Sequence, residues 1–315
     1  MFRPCLVLVA SLVLAAILAA AAAPCAAIAA QKSGDLPAQA AISAPVPNGG
    51  GRTFADLTAL AFPGVKSELE IRRAAERADP DKVFNEPVYL PQRRVADAIA
   101  PLRPLAARFK MPEKMPARYF LDGVKFVRVT GDGKPMLAVL FGGNNDGVGV
   151  LALFEASPQS RLLDLVNVRS DRFTTLLQRP VLRLGPAASA FVLVNSHDSH
   201  TVAYEEDTLV YVLGGRFVEI GGFSMNQSHL GDISELRETA ALRVLPGADP
   251  AHARIEATVT TITRDAPEGS RPAARKRAAT ISMARGVWRW DAATQAWKGQ
   301  PSALGKLGDW QEGSE

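Results

Sequence analysis

Apolar residues in the central part of the chain occur in short runs separated by polar residues and glycines. The runs are Lys125 to Val129, Met136 to Phe141, Val148 to Phe154, Arg161 to Val168, Phe191 to Val194, Thr208 to Leu213 and Arg216 to Ile220. They are rich in β-branched and aromatic residues and are bounded by turn residues, a pattern that predicts β-strands. Two longer alternating stretches, His252 to Arg264 and Arg277 to Asp291, predict two further strands.

The connections between these runs also have a pattern. Gly214-Gly215 joins two of the predicted strands, and two adjacent residues that tolerate positive φ predict a type I′ hairpin turn. After Gly231, the spacing of apolar residues predicts a short helix from Asp232 to Ala240, with Asp232 as its N-cap.

The N-terminal part of the chain has a different pattern. Phe54 to Phe62 predicts a short helix that ends at Pro63-Gly64. Ser67 and Glu70 have the spacing of a capping box, which predicts a second helix to about Ala78. Frequent prolines between Asp81 and Ala117 predict an irregular layer packed on the strands.

The strand pattern recurs along the chain. Leu140 and Val194 are 54 residues apart, and Arg161 and Arg216, which open similar Arg-apolar-apolar-acid-apolar segments, are 55 apart. A period near fifty residues is typical of propeller blades or repeated β-meanders. The expected fold is therefore mainly β, with antiparallel repeated β-meanders forming a partial propeller or a sandwich, and a short N-terminal helical layer.

The expected domain organisation follows from these patterns and from the N-terminus. Arg3, an apolar stretch from Leu6 to Ala23 and the small residues Ala29 and Ala30 have the order of a secretory signal peptide. An uncleaved anchor and lipidation at Cys25 are the alternatives. The predicted segments are a signal peptide (1–30), a disordered tether (31–52), a helical or irregular segment (53–118), a β domain (119–300) and a C-terminal tail (301–315).

Composition narrows the possible functions. The two cysteines of the chain, Cys5 and Cys25, lie within the predicted signal peptide, so the mature chain is expected to be free of cysteine and of thiol chemistry. The formal net charge is only +4, which does not indicate a nucleic-acid partner. A cleaved signal peptide predicts a periplasmic or secreted protein without stable membrane insertion.

Gly131-Asp132-Gly133, followed by an apolar strand and a Gly/Asn-rich loop, resembles an FG-GAP or VCBS-type β-propeller blade across residues 125–220. That resemblance implies blade-like β units. Such blades hold calcium in an Asp-rich loop, and only Asp132 matches an acidic position of that loop. The resemblance therefore does not carry calcium binding to this chain.

The stretch between two predicted strands, Asn195 to Asp207, is the segment richest in groups capable of chemistry. We expect a candidate binding site there, formed by Asn195, His197, Asp198, His200, Glu205 and Asp207. His197 and His200 become metal ligands if the loop turns back on itself; otherwise these polar side chains cap strand ends. No cofactor is expected apart from a divalent metal ion at these two histidines.

Trp288 and Trp290 are two residues apart, so a strand places them on the same face. They form either a buried core pair, which we expect, or an exposed stacking platform for a sugar. A complete set of nucleophile, base and orienting group is not recognisable in the sequence. The sequence thus predicts a cell-envelope binding or interaction module with a protein or glycan ligand. The alternative is a secreted or periplasmic hydrolase, metal-dependent or not, that uses the His197/His200 loop.

Overall fold

The structure is a computed structural model. It describes residues 39–40, 42, 44–63, 74, 78, 88–90, 102–109, 119–121, 124–142, 149–168, 173–177, 181–198, 202–230, 234–249, 251–265 and 279–299. The predicted signal peptide and the C-terminal tail lie outside these residues. So does most of the helix predicted from Ser67, of which Ala74 and Ala78 are described and are helical.

Two antiparallel sheets contain most of the described residues. The first has five strands, in the spatial order β1 (Gln39–Ala40), β4 (Val124–Gly131), β5 (Lys134–Gly142), β6 (Gly149–Glu155) and β7 (Leu162–Asn167). A separate pair consists of β2 (Val88–Leu90) and β3 (Tyr119–Leu121). A short helix, α1 (Phe54–Ala61), lies between β1 and β2 in the chain.

The second sheet has nine strands. They are β8 (Phe173–Leu176), β9 (Leu182–Arg183), β10 (Ser189–Asp198), β11 (Val202–Leu213), β12 (Arg216–Leu230), β13 (Ser234–Asp249), β14 (His252–Asp265), β15 (Thr280–Asp291) and β16 (Ala296–Gly299). From β10 onward each strand pairs with the next one in the chain. Every strand pairing within the two sheets is antiparallel, so the predicted mainly β, antiparallel fold is confirmed.

Three apolar layers hold the fold together. In the first, Phe54 and Phe62 pack on one face of the five-stranded sheet, where Phe62 meets Phe141 edge-on with ring centroids 5.5 Å apart. In the second, the other face of that sheet packs against β10–β12, with Leu153 and Phe217 among its buried residues. β5 and β6 are buried on both faces, as their unbroken apolar runs require.

The third apolar layer lies within the nine-stranded sheet, which bends so that β10–β12 face β14 and β15. Val192, Phe223, Ile255 and Trp288 belong to this layer, and Trp288 is only 2% exposed. The expectation that Trp288 is a core residue is therefore confirmed.

A carboxylate links two hairpin turns of different sheets. Gly214 and Gly215 have φ of 59° and 70°, which confirms the predicted I′-like turn. Asp132 and Gly133 form a second turn of the same kind, with φ of 52° and 73°. The Asp132 carboxylate accepts hydrogen bonds from the backbone amides of Gly214 (3.2 Å) and Gly215 (3.0 Å). Asp132 thus acts as a tie between the two sheets.

Two sequence expectations are wrong. The helix predicted from Asp232 to Ala240 is strand β13, because pairing with β14 along its length overrides local helical spacing. The Glu238 carboxylate strengthens that pairing by accepting hydrogen bonds from Asn226 N (2.7 Å) and Thr261 Oγ1 (2.8 Å). The predicted tether also extends too far toward the C-terminus, since Ile42 and Val46 are buried against the first sheet.

Candidate functional site

The predicted site loop is mainly a pair of strands. Asn195 to Asp198 form the end of β10, and Glu205 to Asp207 lie within β11. Asn195 pairs with Glu206, Ser196 with Glu205, His197 with Tyr204, and Asp198 with Ala203. Only residues 199–201 remain between the strands, and they lie outside the described residues. The long loop was expected because polar residues dominate this stretch, but most of them are paired on both sides within the sheet.

Strand alternation separates the residues that the sequence grouped together. Asn195 shares a face with Leu193, which packs against the five-stranded sheet. Asp207 shares the opposite face with Leu209, which points into the nine-stranded sheet. The structure therefore brings Glu205 and Asp207 together and places Asn195 on the other side of the sheet.

Asn195 belongs to a buried polar row that crosses four strands. Register places Thr174, Asn195, Glu206 and Ser224 side by side on β8, β10, β11 and β12. Thr174 Oγ1 donates a hydrogen bond of 2.7 Å to Asn195 Oδ1, and all four residues are buried. Within the described residues, Asn195 Nδ2 and Ser224 Oγ have no hydrogen-bond partner, so the row is only partly satisfied. Those two groups cost free energy, because they are buried without a hydrogen bond.

Arg108 closes this row and was missed by the sequence analysis. Its Nε donates a hydrogen bond to Glu206 Oε1, its Nη1 to Glu219 Oε1 (2.5 Å) and its Nη2 to Thr208 Oγ1 (2.8 Å). The Glu206 side chain is only 3% exposed, so the guanidinium compensates a buried charge.

Backbone pairing explains how Arg108 reaches that position. Residues 102–109 lie alongside the end of β7. There Leu105 N donates a hydrogen bond to Asn167 O (2.9 Å), and Asn167 Nδ2 donates one to Phe109 O (3.2 Å). The sequence shows only a proline-interrupted segment here, with no periodicity that identifies a partner.

Glu205 and Asp207 form a carboxyl pair on the other face of β11. Burial raises the pKa of Asp207 well above its usual range, and the neighbouring Glu205 and Glu206 charges raise it further. Burial also raises the pKa of Glu205, which a hydrogen bond to Asp207 partly offsets. Asp207 is 4% exposed and its Oδ1 has no hydrogen-bond partner. The pair can share a proton, but a substrate reaches Asp207 only if the strands move apart.

The predicted metal site falls at the border of the described residues. The backbones of His197 and Asp198 are described, whereas their side chains and all of His200 are not. Among the residues that the structure does describe, no three His, Cys, Asp or Glu side chains are placed to hold a metal ion. Metal binding by His197 and His200 stays a prediction.

A different histidine takes part in an aromatic cluster. The His252 ring stacks on Trp290, with centroids 4.3 Å apart and an interplanar angle of 11°. Its Nδ1 lies 2.8 Å from Asp249 Oδ2, and this hydrogen bond lowers the pKa of Asp249. Trp297 and Tyr211 meet the Trp290 ring edge-on at 5.9 and 6.1 Å. Trp290 is thus fixed on three sides.

An open cavity lies beside this aromatic cluster, which we call the Trp290 cavity. It has a volume of about 570 Å³ and is lined by Trp290 and by charged side chains of both signs, Asp249, Arg289, Asp291 and Lys298. Lys298 Nζ forms an ion pair with Asp291. The hydrogen bond from Lys298 lowers the pKa of Asp291 to about 2. Trp288 is fully in the core, whereas Trp290 is half-buried: it packs against the third apolar layer and also lines the cavity.

Comparison of the chain with protein-family models, curated proteins and solved structures gives no match. In the part of the chain that the structure describes, no helix is long and apolar enough to cross a membrane.

Proposed function

We propose that this chain is an exported, periplasmic or secreted, binding module of the cell envelope that recognises a glycan. The observation that carries this proposal is the Trp290 cavity. Its volume of about 570 Å³ lies within the range of small-molecule sites. An aromatic ring packs on the apolar face of a sugar, while charged side chains form hydrogen bonds with its hydroxyl groups.

The rigidity of the cavity wall supports this proposal. Trp290 is held by His252, Trp297 and Tyr211, and Asp291 accepts a hydrogen bond from Ala293 N (2.9 Å) in addition to its ion pair. A side chain that is already fixed loses little conformational entropy on binding. The apolar N-terminal stretch from Leu6 to Ala23 supports export.

The placement of the acidic residues also supports a binding role over a catalytic one. Glu206 is neutralised by Arg108, and Asp207 is buried against Glu205. The first carboxyl group is compensated by a guanidinium and the second is buried in the fold, whereas a general acid or base must reach its substrate.

Intrinsic tryptophan fluorescence tests the proposal directly. Titration with soluble peptidoglycan fragments and a panel of neutral and acidic oligosaccharides should change the emission of Trp290. The exposed Arg289 lines the cavity, so Arg289→Ala should weaken binding about tenfold. Arg285, also exposed on β15, is not among the lining residues, and Arg285→Ala should bind like the wild type. The glycan proposal is wrong if no sugar changes the emission, or if both variants bind equally.

A second candidate function is a hydrolase. The observation that favours it is the Glu205–Asp207 pair, in which two carboxyl groups with raised pKa values share a hydrogen bond. An ester and glycoside panel separates the two proposals. Turnover that is lost in both His197→Ala and Asp207→Asn would establish the hydrolase, whereas the binding proposal predicts no turnover above the blank.

We also propose that β5–β7 and β10–β12 are two copies of one blade-like unit. The support is that each set is a run of three successive antiparallel strands. A chain excised as residues 119–230 should retain its β signal in far-UV circular dichroism if the units pack as blades do.

A further inference from the structure

A second cavity, distinct from the Trp290 cavity, lies where the edge of β4 meets β9 and the start of β10. Its volume is about 550 Å³, again within the range of small-molecule sites. Two arginines, Arg128 on β4 and Arg183 on β9, line it from opposite sheets. We call it the two-arginine cavity.

A hydrogen bond and strand register link the backbone segments that carry the two arginines. Arg183 pairs with Ser189 across β9 and β10, so their side chains share a face. The Ser189 hydroxyl accepts a hydrogen bond of 2.7 Å from Thr130 N. Thr130 is two residues beyond Arg128 on β4, which places both side chains on one face about 7 Å apart along the strand. Both arginines therefore line one cavity, and Ser189 connects the strands β4 and β9 that carry them.

The charge of this cavity is of a single sign. Both arginines are exposed, and within the described residues neither forms an ion pair or a hydrogen bond through its side chain. In contrast, Arg103, Arg108 and Arg161 each pair with a carboxylate. Of the described residues that line the cavity, none is an aspartate or glutamate. Two unpaired guanidinium groups in a concave surface concentrate positive potential there.

The remaining wall is mainly apolar. Val181, which is 37% exposed, lines this wall together with Pro47 and Pro186, whose rings restrict the backbone. A ligand that fits this surface carries an anionic group at one end and a short apolar part at the other.

We propose that the two-arginine cavity binds the phosphate or carboxylate group of a small amphiphilic molecule. Guanidinium groups bind such oxyanions through paired hydrogen bonds of fixed geometry, and two of them can grip one group from two sides. Val181 and the neighbouring prolines contact the apolar part. This site is independent of the glycan proposal, since it uses a different cavity and different residues.

Isothermal titration calorimetry of the purified protein with inorganic phosphate and with hexyl phosphate tests the site. Hexyl phosphate should bind more tightly than inorganic phosphate, because only it reaches the apolar wall. Arg128→Gln and Arg183→Gln should each weaken hexyl phosphate binding about tenfold. Arg243, exposed on β13 and not among the lining residues, provides the matched control, and Arg243→Gln should bind like the wild type.

Two further measurements make the outcome decisive. Melting temperatures of the arginine variants should equal that of the wild type, since both side chains are exposed and unpaired. Sedimentation with phosphatidylglycerol vesicles separates the sources of the anion: arginine-dependent retention indicates a lipid headgroup, and its absence alongside hexyl phosphate binding indicates a free small molecule. The proposal is overturned if neither phosphate binds at millimolar concentration, or if the Arg128 and Arg183 variants bind as tightly as Arg243→Gln.

Discussion

Asp207 gives the sharpest test of how β11 is built. Its carboxyl group is buried, its pKa is raised well above the usual range by burial and by the adjacent acids, and its Oδ1 has no hydrogen-bond partner. Asp207→Asn replaces the carboxyl group with a neutral amide of nearly the same size. The amide can still donate a hydrogen bond to Glu205, so the substitution removes the ionisation and little else.

The sign of the effect follows from the direction of the pKa shift. In the unfolded chain the Asp207 carboxyl group has a pKa near 3.8 and loses its proton above that pH. In the folded state its pKa is higher, so the proton stays bound to a higher pH. Between those two pKa values the folded state binds more protons, so the free energy of unfolding falls as pH rises. One group contributes a slope of about 1.4 kcal/mol per pH unit across that window. The contribution of Asp207 to the free energy of unfolding is fully present below the pKa of the unfolded state. It is lost as the pH rises through the pKa of the folded state.

Urea unfolding at a series of pH values from about 5 to 8 measures this slope. Asp207→Asn should have a flatter pH dependence than the wild type, so its relative stability should increase as pH rises. Asp291→Asn is the control: the Asp291 pKa is about 2, so it is ionised in both states over this range and its loss should leave the slope unchanged. Equal slopes in Asp207→Asn and the wild type would refute the assignment of a buried, protonated Asp207.

Two other substitutions test the packing. Arg108→Met leaves Glu206 buried and unpaired, and should lower the free energy of unfolding by about 3–5 kcal/mol in urea titration, with Glu206→Gln in the same chain restoring part of the loss. Gly221 has φ of 148°, and a Cβ there would also lie 2.1 Å from Trp288 Nε1, so Gly221→Ala should cost roughly 1–3 kcal/mol from this overlap in addition to the cost of its positive φ. Gly214→Ala, where a Cβ meets open space, should cost only about 1–2 kcal/mol from its positive φ; equal losses at the two glycines would contradict the packing around Trp288.

The strands were predictable where local sequence and tertiary contacts agree. Runs such as Met136 to Phe141 are apolar throughout because β5 is buried on both faces. The Gly214-Gly215 turn was predictable because positive φ at two adjacent residues needs glycine. β13 was not predictable, since its local spacing is compatible with a helix and only the pairing with β14 determines its conformation.

The candidate site was predictable only in part. The sequence drew attention to Glu205 and Asp207, because the stretch from Asn195 to Asp207 is the richest in groups capable of chemistry. It did not separate them from Asn195, which strand alternation places on the opposite face. The position of Arg108, and the presence of Arg128 and Arg183 in one cavity, were not predictable. They depend on contacts between residues far apart in the chain, which leave no periodic signal.

Hydrogen–deuterium exchange mass spectrometry, with and without saturating peptidoglycan fragments, tests the central claim that the ligand is bound in the Trp290 cavity. Exchange should slow in peptides that cover residues 248–249 and 287–299, with little change elsewhere. At a fragment concentration near the wild-type Kd, Arg289→Ala should lose most of this protection and Arg285→Ala should keep it. Protection over residues 195–207 instead, or no protection at any peptide, would contradict the account.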